Sequence, residues 1–584
     1  MTPMRVGPLV RATSSTSAVI WAEFFQPREV ILTATPYEAT ENSTISVNAR
    51  TVTVGGRHYA APQLTGLQPA TWYNYRVGTI ADKTAADAGQ LAGIEHPQVV
   101  LPYQCFRTLD PEEAGERTHG KSLLLAYGSC RKSTQPQHDA LSAFGSWLTR
   151  HFPEREATWP RLLLLIGDQI YADEPSESLL QLHPYLQGGA RTFSDFASMY
   201  EYTWTNDQRV RQALAMLPTF MIFDDHEVLN NWNISPIWRA RALQRGREQV
   251  LVDGLVAYWV YQGWGNLCQR TPANNPLLQI MQDAAASSED ALEALRTCIR
   301  PEIYSNSHLD WHYEIPTTPP IFVMNARADR PVIFDSKTPF TETPARIMSE
   351  QQMAELAKWL YESKGGPSLL VSSVPVLLPP LIGLAEYLTG IRPWHNKVAP
   401  LRWLGRQLAR IQHMLAMGIS FDHWPVFTAT WHELVKMLAD RQQDILVLSG
   451  DVHFSYAMEA QRRRKAPDEG HLYQLVSTPL QNELSPNSQR LVLGQSRLKR
   501  ATYGGLHVRM LPLLTGDKKR RVPRDLLIQN TLAFVKLQPE GQGRYEIEQE
   551  YLGVRDGEME LIGHTTFVTT GTPKSSTSRR FTSD

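Results

Sequence analysis

Four short segments end an apolar run in residue types that bind metal ions. They are Leu123–Cys130 (LLLAYGSC), Leu162–Asp173 (LLLLIGDQIYAD), Phe220–Glu227 (FMIFDDHE) and Ile445–Ser455 (ILVLSGDVHFS). Cys130 offers a thiolate, a soft ligand that prefers iron or zinc. Asp168 can bridge two cations through its two oxygens. Tyr171, three residues on, binds a hard trivalent ion as a phenolate once the ion's charge overcomes the phenol's ordinary pKa of about 10. Asp451 and His453 stand two apart, so an extended turn directs both to one side. Asp225 and His226 follow directly on the apolar run Phe220–Phe223. Sorted by hardness, Cys130, Tyr171 and His453 form a soft or mixed set suited to iron or zinc. Asp225 and Asp451 form an all-oxygen set suited to calcium, magnesium or manganese, and Asp168 can serve both. The partition predicts two unlike metals sharing one carboxylate. Such a pair lowers the pKa of a bridging water and clamps a phosphoryl group for in-line attack.

These residues need elements to position them. Each apolar run has strand length and is too short for a typical helix. Four of them imply one site at the carboxyl edge of a sheet, where open α/β sheets place ligands. Strand-like runs at 122–127, 161–166, 219–223, 320–324, 368–373 and 445–449 alternate with helical stretches at 137–150, 349–363 and 428–441. The alternation predicts a layered α/β domain over 121–568, with helical insertions at about 239–301 and 376–420. Upstream, residues 1–110 read as a separate all-β domain. Its short β-rich runs are spaced by turns, and the corner Leu67–Val77 is of the kind found in immunoglobulin-like or fibronectin-like sandwiches. Asp110–Gly120 reads as a linker, and the Ser/Thr-rich tail 570–584 as disordered.

Composition narrows the function. The chain has 584 residues, 42% hydrophobic and 20% charged, with a net charge of −1. That balance provides no global field for nucleic acid or an anionic membrane. Four scattered cysteines are no disulfide framework. Cys268 and Cys298 could pair, with reduced thiols the favoured state. The start, MTPMRVGP, has no charged region followed by an apolar one. The expectation is a cytoplasmic protein, or a periplasmic or secreted one whose leader was removed. Leu369–Ile391 is apolar but holds three prolines and Glu386. It predicts a strand, a turn and a core helix, not a membrane span.

The set Gly128-Ser-Cys, Gly167-Asp-Gln-Ile-Tyr, Asp224-Asp-His-Glu-Val-Leu-Asn-Asn231 and Gly450-Asp-Val-His-Phe-Ser resembles the alkaline phosphatase D (PhoD-like) branch of the calcineurin-like metallophosphoesterases. The resemblance covers about residues 5–565. It implies an α/β/β/α metallophosphoesterase sandwich behind an N-terminal immunoglobulin-like domain. It also implies hydrolysis of a small phosphomonoester or phosphodiester by a metal-bound hydroxide. Cys130, Asp168, Tyr171 and His453 would hold iron. Asp168, Asp225 and Asp451 would hold calcium, with zinc, manganese or magnesium as substitutes. His226 would donate the proton to the leaving oxygen. Asn230 and Asn231 would complete a ligand or supporting shell.

The family's acid–arginine segment corresponds to Met324–Arg330, with Asn325 where Asp is expected, and Arg327 or Arg330 would clamp phosphate. The wider superfamily's lone metal-binding histidine has six candidates here: His308, His312, His395, His413, His423 and His432. None ends a strand-like run. Ser455 reads as a hydroxyl supporting His453. Asp224 reads as a turn cap, Asp173 and Glu174 as loop or helix-start charges, and Glu227 and Asp422 as residues orienting backbone. Two competing expectations are a silent scaffold on the same fold and a nuclease of the same superfamily.

Overall fold

The computed structural model describes residues 4–38, 43–80, 94–95, 101–115, 121–234, 237–267, 275–305, 311–332, 346–363, 366–391, 407, 421–439, 441, 443–463 and 470–570. Cys268, His308, His395, His413, the linker end 116–120, most of the stretch 392–420 and the tail 571–584 lie outside the described residues.

Two sheets stack face to face at the centre. One has seven strands, in the order Thr219–Ile222, Leu162–Ile166, Leu123–Gly128, Thr531–Gly541, Arg544–Arg555, Glu558–Val568 and Leu514–Thr515. The other has eight, in the order Tyr313–Ile315, Ile321–Val323, Ser368–Ser372, Ile445–Ser449, Leu472–Val476, Tyr456–Arg462, Leu506–Met510 and Arg500–Tyr503. Alternate side chains of one strand enter different layers. Leu162, Leu164 and Ile166 meet Leu369, Val371, Leu446 and Leu448 between the sheets. Leu163 and Leu165 face outward onto Leu141, Phe144 and Phe196. On the far side, Leu370 and Val447 pack under Leu356 and Leu434. Burial on both faces explains why these strands are continuous apolar runs and do not alternate. The result is an α/β/β/α sandwich.

The strands ending at Gly128, Ile166 and Ile222 run parallel, as do those ending at Val323, Ser372, Ser449 and Val476. Their carboxyl ends therefore share an edge of each sheet, and the two edges meet. A Cβ at Gly450 would lie 2.0 Å from Ser129 Oγ and 3.1 Å from the Ile166 carbonyl, so only glycine lets these loops approach.

Strands between Met4 and Arg107 form two further five-stranded sheets. The strand Ser17–Phe24 is buried at every position because both of its faces are covered. Ile20 enters the core between these sheets, beside Leu32, Tyr73 and Phe106. Its neighbour Trp21 points the other way, onto Trp204 and Tyr261 of the α/β domain, and donates from Nε1 to the Val260 carbonyl at 3.0 Å. Among the described residues no helix is long and apolar enough to cross a membrane. The stretch 369–391 holds the end of the strand Ser368–Ser372 and the helix Pro380–Gly390, with Glu386 buried. Thr570 is tied to Asp444 through its backbone N–H, at 2.6 Å.

Trp21 fills a contact that neither domain completes alone. Trp21→Ala is expected to lower the unfolding free energy by about 3–5 kcal/mol, read by urea denaturation. A loss below about 1 kcal/mol would show that the domains do not depend on this contact.

Candidate metal centre

The loops that carry the site are held by backbone. Cys130, Asp168, Asp451 and His453 all have positive φ, at 57°, 53°, 69° and 60°. Non-glycine residues in this region cost about 1–3 kcal/mol each and persist only where the surroundings impose them. Glu227 imposes part of it. Its buried carboxylate accepts the N–H groups of Asp168 (3.1 Å), Gln169 (2.7 Å) and Asp224 (2.8 Å), and Gln262 Nε2 at 3.0 Å. Gly167 permits the crossing of these loops: it has φ +87°, and a Cβ there would lie 2.5 Å from Asp224 Cβ.

Ligand atoms of Cys130, Asp168 and His453 all lie within 4.8 Å of one another. Tyr171 Oη joins them, 3.3 Å from His453 Nε2 and 3.4 Å from Asp168 Oδ2. Asp168 is also within 4.8 Å of two further sets, Asp225 with His226 and Asp224 with Asp451. A soft set and a carboxylate set thus share one aspartate. Their chemistry fits cations. Asp224 Oδ2 is buried with no hydrogen-bond partner. Burial, and then the charges of Asp168 and Asp451, push the Cys130 thiol well up, and burial does the same to the Tyr171 phenol. Burial and then Asp224 raise the Asp168 carboxyl. Burial holds His453 down to about 4, so its imidazole is neutral and able to ligate. Cations here would satisfy the stray oxygen, favour the thiolate, phenolate and carboxylate forms of Cys130, Tyr171 and Asp168, and keep His453 neutral.

His226 stands beside this cluster. Its Nδ1 meets Asp173 Oδ1 at 2.7 Å, and its ring lies 4.3 Å from that of Tyr171. Burial alone would depress its pKa. Asp225, the Asp173 bond and Asp168 outweigh burial and push it up to about 10. Nε2 is the nitrogen of His226 not held by Asp173.

Comparison with known proteins agrees with this geometry. Residues 128–275, which include Cys130, Asp168, Tyr171, Asp225 and His226, match the family model described as PhoD-like phosphatase. That segment carries the likeness to PhoD-like phosphatases. A solved structure of PhoD has a TM-score of 0.59 and 13% identity, covers 98% of this chain and 93% of that one, and so shares the fold. Residues 1–90 match a domain of unknown function, DUF7800. The sensor domain of the anti-sigma factor RsgI4 from Pseudobacteroides cellulosolvens, 14% identical over 19% of this chain and 76% of that one, has a TM-score of 0.11 and carries no argument. No curated protein matches.

Several expectations need correcting. Arg327 and Arg330 are not open to a phosphate: both are buried, with Arg327 1% exposed. Arg327 donates to Asp224, Asp422 and Asp451, while Arg330 Nη2 donates to the Asp422 carbonyl at 2.8 Å. Ser455 does not support His453. Its hydroxyl pairs with Thr531 Oγ1 at 2.8 Å and receives the Thr478 N–H at 3.0 Å. Asn230 and Asn231 meet the site through their backbone N–H groups, donating to Asp173 Oδ2 (2.8 Å) and Asp225 Oδ2 (2.6 Å). Asn325 caps its own turn by accepting from the Ala328 N–H at 3.0 Å.

Asp224, read above as a turn cap, belongs to the site, and so do Asp173, Asp422, Glu386 and, of the six candidate histidines, His423. Asp173 orients His226. His423 Nε2 meets Asp451 Oδ2 at 2.9 Å, and its Nδ1 meets Glu386 Oε1 at 2.6 Å. Asp422 faces both arginines. The pair Asp422-His423 repeats the Asp225-His226 dipeptide, and that repetition was the available signal. Of the other candidates, His312 pairs with Glu355 and His432 meets Tyr387, away from the cluster.

Glu227→Ala would leave buried donors unpaired at about 1–3 kcal/mol each. Its unfolding free energy in urea is expected to fall by more than about 3 kcal/mol. An unchanged melt would remove Glu227 from its organising role.

Proposed function

We propose that the chain is a metal-dependent phosphoric ester hydrolase acting on small phosphomonoesters or phosphodiesters. The observation that carries this reading is Asp168, which stands at the junction of a Cys/Tyr/His set and a carboxylate set, with His226 beside both. Cys130, Asp168, Tyr171 and His453 would hold iron. Asp168 and Asp225, with Asp224 and Asp451 beside them, would hold calcium or another hard divalent ion. When bound, such a pair supplies Lewis acidity to the phosphoryl oxygens and a water acidified for in-line attack.

The chain's own residues do the rest. Asp168 fixes the spacing of the two sets through its two oxygens. The neutral imidazole of His453 and the carboxylates of Asp224 and Asp225 orient the charge that faces phosphate. Asp173 holds His226 by Nδ1, so the ring does not rotate and Nε2 carries the proton. As the P–O bond breaks, that proton passes to the leaving oxygen, and the neighbouring carboxylates favour its return. The PhoD-like match and the shared fold support the hydrolase class.

His226→Ala is expected to retain its metals and lose about 10²–10⁴-fold in turnover. The loss should be largest on alkyl phosphate esters, whose leaving oxygen needs the proton most, and smallest on nitrophenyl esters. Steady-state rates on both, for mono- and diesters, check this. Undiminished turnover of an alkyl ester would remove His226 from the role.

A further inference from the structure

Asp422, His423 and Asp451 bring their ligand atoms within 4.8 Å of one another, a grouping able to hold a cation. It already faces one. The Arg327 guanidinium donates through Nη1 to Asp422 Oδ2 and through Nη2 to Asp451 Oδ1 at 2.9 Å. Its Nε donates to Asp224 Oδ1, and Nη1 lies 3.8 Å from Asp225 Oδ2. Four carboxylates thus surround one planar cation, and every guanidinium nitrogen is engaged. Arg330 stacks over Phe427 and closes the same pocket from the Asp422 side, with its Nη1 3.4 Å from Asp422 Oδ2.

We propose that Arg327 is the resident cation of the Asp422–His423–Asp451 cluster, taking the place of a metal ion there, and that it does not bind substrate. A guanidinium suits the role: it stays charged when buried, and its planar fork presents donors to several carboxylates at once. It keeps the acidic residues from repelling one another while the exchangeable cations sit on the Asp168 side. Glu386 completes the cluster by fixing His423 from behind. His423 and Glu386, brought by separate segments of the chain, are therefore positioning residues for Asp451. The proposal rests on the cation-site reading above but not on esterase activity.

The test is the calcium content of folded protein after calcium loading and gel filtration, by elemental analysis. Arg327→Met is expected to gain one calcium per chain over wild type, and Arg327→Lys to match wild type. Asp422→Asn in the wild-type background should leave the content unchanged, and in the Arg327→Met background it should abolish the gain. An unchanged content in folded Arg327→Met would overturn the proposal. So would loss of a cation in Asp422→Asn alone, and that arm decides the matter if Arg327→Met does not fold. A wild type that binds no cation at all counts against the hydrolase reading, and the Arg327→Met gain still decides this one.

Discussion

One buried carboxylate sets the geometry on which the site depends. Glu227 accepts three backbone N–H groups from two different strand ends, and so locks the Asp168 loop to the Asp224–His226 turn. Burial raises its pKa to about 7, and the donors hold it back from rising further. Asp168 can serve two ligand sets only if both loops are held at this spacing. The positive φ angles at Cys130, Asp168, Asp451 and His453 are imposed by the same convergence of the two sheets. The strain falls on residues of the proposed metal site, and functional sites are where such strain clusters.

Electrostatics sharpen the point. Asp168, Asp224, Asp225, Asp422 and Asp451 crowd one region, and most are buried. Carboxylates packed this way oppose folding unless positive charge is provided. The chain provides part of it through Arg327, His226 and His423. Burial would raise Asp451, but Arg327 and His423 hold it below the ordinary carboxylate range. Further positive charge would offset the rest, so the crowding that opposes folding also suits the cluster to cations.

Much of this was legible in the sequence because it is local. Each strand carries its ligands within a few residues of its end, so Leu162–Ile166 followed by Asp168 and Tyr171 shows both element and chemistry. The layered fold followed from apolar runs of strand length, since strands buried on both faces need no alternation. What escaped was contact between distant segments. Arg327 reaches Asp224 across 103 positions, and His423 reaches Asp451 across 28. Trp21 was legible as a strand residue. Its outward direction was not, because one strand of the sandwich is covered on both faces. Pattern shows which face a residue takes, and not which partner covers that face.

The central claim is that Asp168 joins two unlike cation sites. The direct measurement is the metal content, by elemental analysis, of wild type, Cys130→Ser and Asp168→Ala purified without chelator. Wild type should hold about two cations of different kinds per chain. Cys130→Ser should lose only the softer one, and Asp168→Ala should lose both. An Asp168→Ala variant that folds and keeps either metal at wild-type content would contradict the account.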